Sequence, residues 1–109
     1  MWSVDPRLMC REHLLGEHRE LHGIVGLLLN GRSIEGYRRL IEVHNIRSRH
    51  EEIVEEMRRR NYRHKSPLPD FKEYIFGIVD REENLRELFS RCSTCREKIS
   101  RSIEVEPKS

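Results

Sequence analysis

Long apolar runs are missing from this chain of 109 residues. None approaches the ~20 residues that cross a bilayer. The first residues carry neither the basic nor the apolar region of a secretory signal, so a membrane or exported protein is not expected. Cysteine is scarce and odd in number, three in all, which argues against a disulfide framework and for a cytoplasmic, intracellular setting. Glutamine is absent and asparagine limited to four, while 37% of residues are charged, a balance that fits a heat-adapted source. No G-x-S-x-G elbow, P-loop or dinucleotide fingerprint occurs, which excludes the familiar serine-hydrolase, P-loop NTPase and dinucleotide readings. Period-2 alternation and internal repeats are also lacking. The net charge is only +2, too small for a polyanion binder that works by bulk charge. It leaves room for a one-sided basic face. Arginine outnumbers lysine 17 to 4, which suits bidentate phosphate or carboxylate contacts.

What is present reads as helices. Asp5-Pro6 pairs an N-cap acceptor with proline at the first helical position and predicts a helix to about Leu29, stopped by Asn30-Gly31. Gly16, Gly23 and Gly26 interrupt it, either for close helix packing or, at Gly23, to give a ligand or DNA backbone room. A short amphipathic piece follows over Ser33–Glu42. Ser48-x-x-Glu51 has capping-box spacing and predicts a second helix that buries Ile53, Val54 and Met57 and ends near Asn61. Residues 66–76 hold two prolines and read as a loop over the core. Asp80 with Glu83 caps a third helix with the stripe Leu85, Leu88, Phe89, Cys92, Cys95 and Ile99. The expectation is an all-α, compact single domain of three main helices with connecting loops and a short N-terminal arm. It spans 1–101, with 102–109 a frayed or disordered tail.

The segment HLLGEHRELHG at 13–23 carries the most chemistry. At about 100° per residue, Glu17 falls inside the apolar stripe of Leu14, Leu21, Val25 and Leu28, with His13 and Glu20 at its edge. Acids are rarely buried unpaired, so Glu17 either forms an ion pair with a nearby Arg or serves an active site. Cys10-x-x-His13 and Cys92-x-x-Cys95 each place two ligands on one helix face. Together they could close a tetrahedral structural zinc site, or the cysteines could be small core hydrophobes. Arg7, Arg11, Arg19, Arg91, Arg96 and Arg101 form a basic rim near the Glu17/Glu20 region, compatible with phosphate contacts or with a solvated, salt-bridged surface. One nucleophile lies outside the side chains: the α-amino group, whose reference pKa near 7.7–8 leaves part of it neutral and able to form a Schiff base.

A short arm, then H-L-x-x-E-x-R-E-L, then I-R-x-R-x-x-E-I-V-x-E ending in Arg60-Asn61-Tyr62, resembles the pyrimidine-dimer DNA glycosylase family, that of phage endonuclease V. The similarity covers about residues 1–65 and extends loosely over the third helix. It implies a compact all-α enzyme that binds damaged duplex DNA, kinks it and flips a base. By the same resemblance a terminal amine attacks the deoxyribose anomeric carbon, releases the base and cleaves the strand by β-elimination as an AP lyase. Carried over by motif, Glu20 is the essential carboxylate and Arg19 a phosphate or substrate contact. His13 faces the damaged strand, Arg91 or Arg96 supplies contacts from the third helix, and Trp2, Glu17 and His22 complete the expected substrate-facing set.

The departures carry information. The phage member exposes a threonine amine after methionine removal, whereas the bulky Trp2 should retain Met1. Gly23 stands where the family has an arginine, and the cysteines are not part of the phage pattern. Residues 1–4 reach roughly 14 Å, about two and a half helical turns, so the Met1 amine can fold back beside Glu20. The expected partner is double-stranded damaged DNA, bound by a monomer, with no cofactor for the chemistry beyond a structural zinc, in the cytoplasm at the nucleoid. Two other readings stand beside this one: a non-catalytic zinc-stapled nucleic-acid-binding module, and a nuclease using the His/Glu cluster with a divalent ion.

Overall fold

A computed structural model describes residues 1–63 and 67–105. Four α-helices and short 3-10 turns make up its regular structure: α1 (Arg11–Leu29), α2 (Ile46–Arg59), α3 (Arg81–Arg91) and α4 (Ser93–Val105). There is no strand among the described residues, and no helix among them is long and apolar enough to cross a membrane. The helices α1 and α2 pack together, α3 and α4 form a second pair, and a turn at Pro6–Leu8 lies against both α2 and α4. Leu14, Leu21, Val25, Ile53, Met57 and Leu88 are buried in the shared core.

Three boundaries differ from the sequence reading. Asp5 does cap, accepting from the Arg7 N–H at 3.0 Å, but it opens only the 3-10 turn Pro6–Leu8. Met9 and Cys10 are then extended, and α1 begins afresh at Arg11 with Cys10 as its N-cap. The second helix begins two residues before the proposed Ser48 cap, and Ser48 Oγ instead donates back to the Asn45 carbonyl at 3.2 Å. The expected third helix is broken in two at Cys92, whose φ of −121° and ψ of 112° are extended. Its apolar stripe runs on in register through the break, which is why the pattern hid it. Beyond it α4 continues to Val105, past the Ser102 where the tail was placed; residues 106–109 lie outside the described part.

The Asn30-Gly31 stop is present, with Gly31 at φ +66° and its neighbours closing the end through the Asn30 and Arg32 N–H groups. Residues 67–80 form no helix and lie over the core, as the prolines require, burying Phe76 and Val79; Ser66 is outside the described residues. Gly77, at φ +85°, lies so close to the 38–41 segment that a Cβ would run into the Ile41 carbonyl oxygen. The α1 glycines are different. A Cβ at Gly16, Gly23 or Gly26 would meet nothing within 4 Å, so close helix packing is not their reason.

Candidate active site and metal centre

The N-terminal arm reverses at Ser3, which adopts the left-handed φ of 54°, a conformation uncommon outside glycine. The reversal carries Met1 back over α1. Its side chain enters the core, where Sδ accepts the Glu42 N–H at 3.3 Å. Its α-ammonium group donates to Glu20 Oε1 and, at 2.9 Å, to the Leu40 carbonyl. Glu20 stays 40% exposed, so the carboxylate of the pair can be reached from solvent. Asn84, from α3, fixes the arm by donating to the Trp2 carbonyl at 2.9 Å, and the Trp2 ring meets His13 edge-on at 5.6 Å. Neither Asn84 nor the Leu40 carbonyl carried a sequence signal, because both depend on long-range packing.

Glu42 supports the same region from below. Its carboxylate accepts from Asn45 Nδ2 at 2.8 Å and from the Val79 N–H at 2.9 Å. Burial alone would push its carboxyl up. The hydrogen bonds from Asn45 and Val79, with the positive charge of Arg81 and His44, outweigh that and hold it below the ordinary carboxyl range.

Glu17 takes the paired alternative. Arg49 donates to it from Nε at 2.6 Å and from Nη2 at 2.9 Å, and both side chains are almost fully buried. The same guanidinium donates from Nη1 to the Val4 carbonyl at 2.7 Å, tying the arm to α2. An expected DNA contact from Glu17 does not fit this placement. His22, also expected near substrate, packs instead at the α1–α2 seam, with Nε2 3.2 Å from His50 Nε2. Helical spacing turns it some 160° from Glu20. Arg19 is exposed beside Glu20, and Gly23 is open one turn further on. Arg91 is exposed, 3.8 Å from Glu87. Arg96 is engaged within the protein, donating to the Phe89 and Ser90 carbonyls at 2.7 and 3.0 Å, where it ties α4 to the end of α3.

Cys10, His13, Cys92 and Cys95 do converge, their ligand atoms all within 4.8 Å of one another. Cys10 Sγ lies 3.1 Å from His13 Nδ1 and 3.9 Å from Cys92 Sγ; Cys95 Sγ lies 3.6 Å from His13 Nδ1. A tetrahedral site with Zn–S near 2.3 Å and Zn–N near 2.05 Å has S–S and S–N edges of about 3.8 and 3.6 Å, so these donors fit a metal ion. The broken helix makes the fit. Cys92 stands at the head of α4 as Cys10 stands at the head of α1, and backbone N–H groups of Cys95 and Cys10 donate to sulfur at 3.4 and 3.3 Å. Without a cation the thiols diverge. The Cys95 N–H draws the Cys92 thiol below its ordinary value against the effect of burial, while burial pushes Cys95 up to about 12. Packed sulfurs cannot all become thiolates unless positive charge joins them.

Fold and site together define a small all-α protein whose terminal amine is set on a helix carboxylate, with a cluster of three cysteines and a histidine that could hold a metal ion. Residues 1–70 match the pyrimidine dimer DNA glycosylase family, and the chain belongs to that family. Membership implies DNA glycosylase activity and a DNA substrate. No curated protein and no solved structure matches the chain. Cys92 and Cys95 lie beyond the matched residues, so the Cys10, His13, Cys92 and Cys95 cluster joins the family part to the C-terminal helix pair.

Proposed function

We propose that this chain is a DNA repair glycosylase with AP lyase activity on damaged duplex DNA, acting at pyrimidine dimers or abasic sites through the Met1 amine. The observation that carries the reading is the contact between that amine and Glu20. Glu20 takes a proton from the ammonium group, which frees the nitrogen lone pair to attack C1′ of a flipped nucleotide. The C–N bond to the base breaks and the base leaves with a proton. Opening of the sugar ring then gives an iminium, whose C2′ proton is lost as the 3′ phosphate departs. At an abasic site the aldehyde and amine condense with loss of water and enter the same elimination. Glu20 also stabilises the positive charge that develops on the sugar. Arg19 and Arg91 are the phosphate contacts we assign, and the open space at Gly23 admits the DNA backbone. Trp2 keeps Met1 in place and anchors the arm against His13. The protein acts inside the cell, at the nucleoid, as a monomer.

The Cys10, His13, Cys92 and Cys95 cluster holds a structural zinc in this reading. The ion would supply folding energy, while these residues position the arm through the His13–Trp2 contact. Metal analysis of protein purified without chelators should find zinc there, and the Cys92→Ser/Cys95→Ser double variant should lack that equivalent and melt at lower temperature. A double variant with unchanged metal content would return the cysteines to the core.

Borohydride reduction tests the chemistry. It should trap a covalent complex with abasic and UV-irradiated duplexes but not with undamaged DNA, and peptide mapping should place the adduct on Met1. Glu20→Gln should abolish trapping while retaining DNA binding. An adduct on a lysine, or none at high enzyme concentration, would refute the amine reading. Nicking abolished by chelator in protein that remains folded, without any trapped species, would favour a metal-dependent nuclease.

A further inference from the structure

We propose that His18, His22 and His50 form a second metal site, an all-imidazole set that takes a divalent transition ion of the zinc, nickel or cobalt class. It is independent of the thiolate cluster and of the amine chemistry. His18 and His22 stand four residues apart on α1, the spacing that stacks two ligands on one helix face, and His50 meets them from the first turns of α2. The three ring centroids lie 4.7, 5.0 and 5.1 Å apart. Their ligand nitrogens all fall within 4.8 Å of one another.

One edge of a coordination polyhedron is already formed. His22 Nε2 and His50 Nε2 are 3.2 Å apart, against about 3.4 Å for two imidazoles on a tetrahedral ion with bonds near 2.05 Å. Glu51 Oε1 lies 3.4 Å from His50 Nδ1, the carboxylate–histidine arrangement that fixes a tautomer and turns the Nε2 lone pair toward a metal. Three imidazoles at these distances repel one another when protonated, whereas a shared cation binds each in its neutral form. The donor chemistry is selective: nitrogen ligands suit zinc, copper, nickel or iron and not magnesium or calcium. His50 also lines a cleft of about 320 Å³ with Arg47, Glu51 and Arg58. Three protein ligands leave a fourth position for water or an anion.

Native mass spectrometry of the full chain titrated with Zn²⁺ tests the site by stoichiometry. The expected result is two equivalents for the wild type and one for His22→Gln, with the surviving equivalent held by the thiolates. Cobalt substitution separates the two centres. One equivalent should show sulfur-to-metal charge transfer, and the other should add only ligand-field absorption, lost in His22→Gln. His18→Gln should behave in the same way, which covers failure of either variant to fold. Glu51→Gln keeps all three ligands and should weaken the second equivalent about 10–100-fold. A wild type that binds no ion, or whose only equivalent shows sulfur-to-metal charge transfer, or two equivalents in folded His22→Gln and His18→Gln, would overturn the assignment and leave the histidines as seam packing.

Discussion

Replacing Arg49 with methionine tests how the arm is held. The Arg49 guanidinium joins three parts of the molecule: both oxygens of Glu17 on α1, the carbonyl of Val4 in the arm, and its own helix α2. With Arg49 only 3% exposed and Glu17 only 2%, water cannot replace those hydrogen bonds. Removing one partner of a buried ion pair costs about 3–5 kcal/mol, because the other charge stays behind. The orphaned Val4 carbonyl adds about 1–3 kcal/mol. A loss near 5 kcal/mol, at roughly 5 °C per kcal/mol for a domain of this size, should lower Tm by about 25 °C in a thermal melt followed by circular dichroism. The paired change Glu17→Leu/Arg49→Met removes both charges, and apolar replacement of a buried pair is often neutral or stabilising. Its Tm should recover most of the loss, the remainder being the roughly 1–3 kcal/mol of the still orphaned Val4 carbonyl. Borohydride trapping should not recover, because Val4 still lacks its tether and the amine is held less well on Glu20. An Arg49→Met loss below about 1 kcal/mol, or a stable double variant that traps at the wild-type rate, would refute this account of the arm.

Other perturbations separate positioning from chemistry. Gly77→Ala should cost about 3 kcal/mol, since its φ of +85° and the Ile41 and Arg38 carbonyls both oppose a Cβ; trapping should fall with Tm, because the displaced segment carries the Leu40 carbonyl. Gly23→Ala should have the opposite effect on stability, raising it by up to about 1 kcal/mol through helix propensity, while binding to abasic duplexes weakens in a fluorescence anisotropy assay if the backbone approaches there. Acid should destabilise the protein partly through Glu42. Its carboxyl lies below the ordinary 4.5, so its contribution is complete above that value and is lost as pH falls through the lower folded one; the Tm–pH profile of Glu42→Gln should be flatter in that window.

Much of this was legible in the residues, for identifiable reasons. The stripe around Glu17 showed that a carboxylate pointed inward, but its partner lies 32 positions away, and local spacing cannot choose Arg49 from 17 arginines. The reach of a four-residue arm, with the resemblance around Glu20, was enough to place the Met1 amine there. The two C-x-x pairs showed their ligands. They did not show that Cys10 and Cys92 each begin a helix, because amphipathic periodicity continues through an extended residue. The expected substrate role of His22 missed its position for a similar reason: the i, i+4 pair with His18 is visible in the sequence, but His50 enters only when α2 packs.

The arm has a consequence for the order in which the molecule is made. Asn84, which holds the Trp2 carbonyl, is 82 positions from it, and Cys95, which takes the Cys10 N–H, is 85 positions away. During synthesis the first residues emerge long before the residues that anchor them, and contacts so distant in sequence close late. The arm's tether to α3 therefore closes only after the C-terminal helix pair has been made, so the part of the chain that carries the amine is held by the part made last.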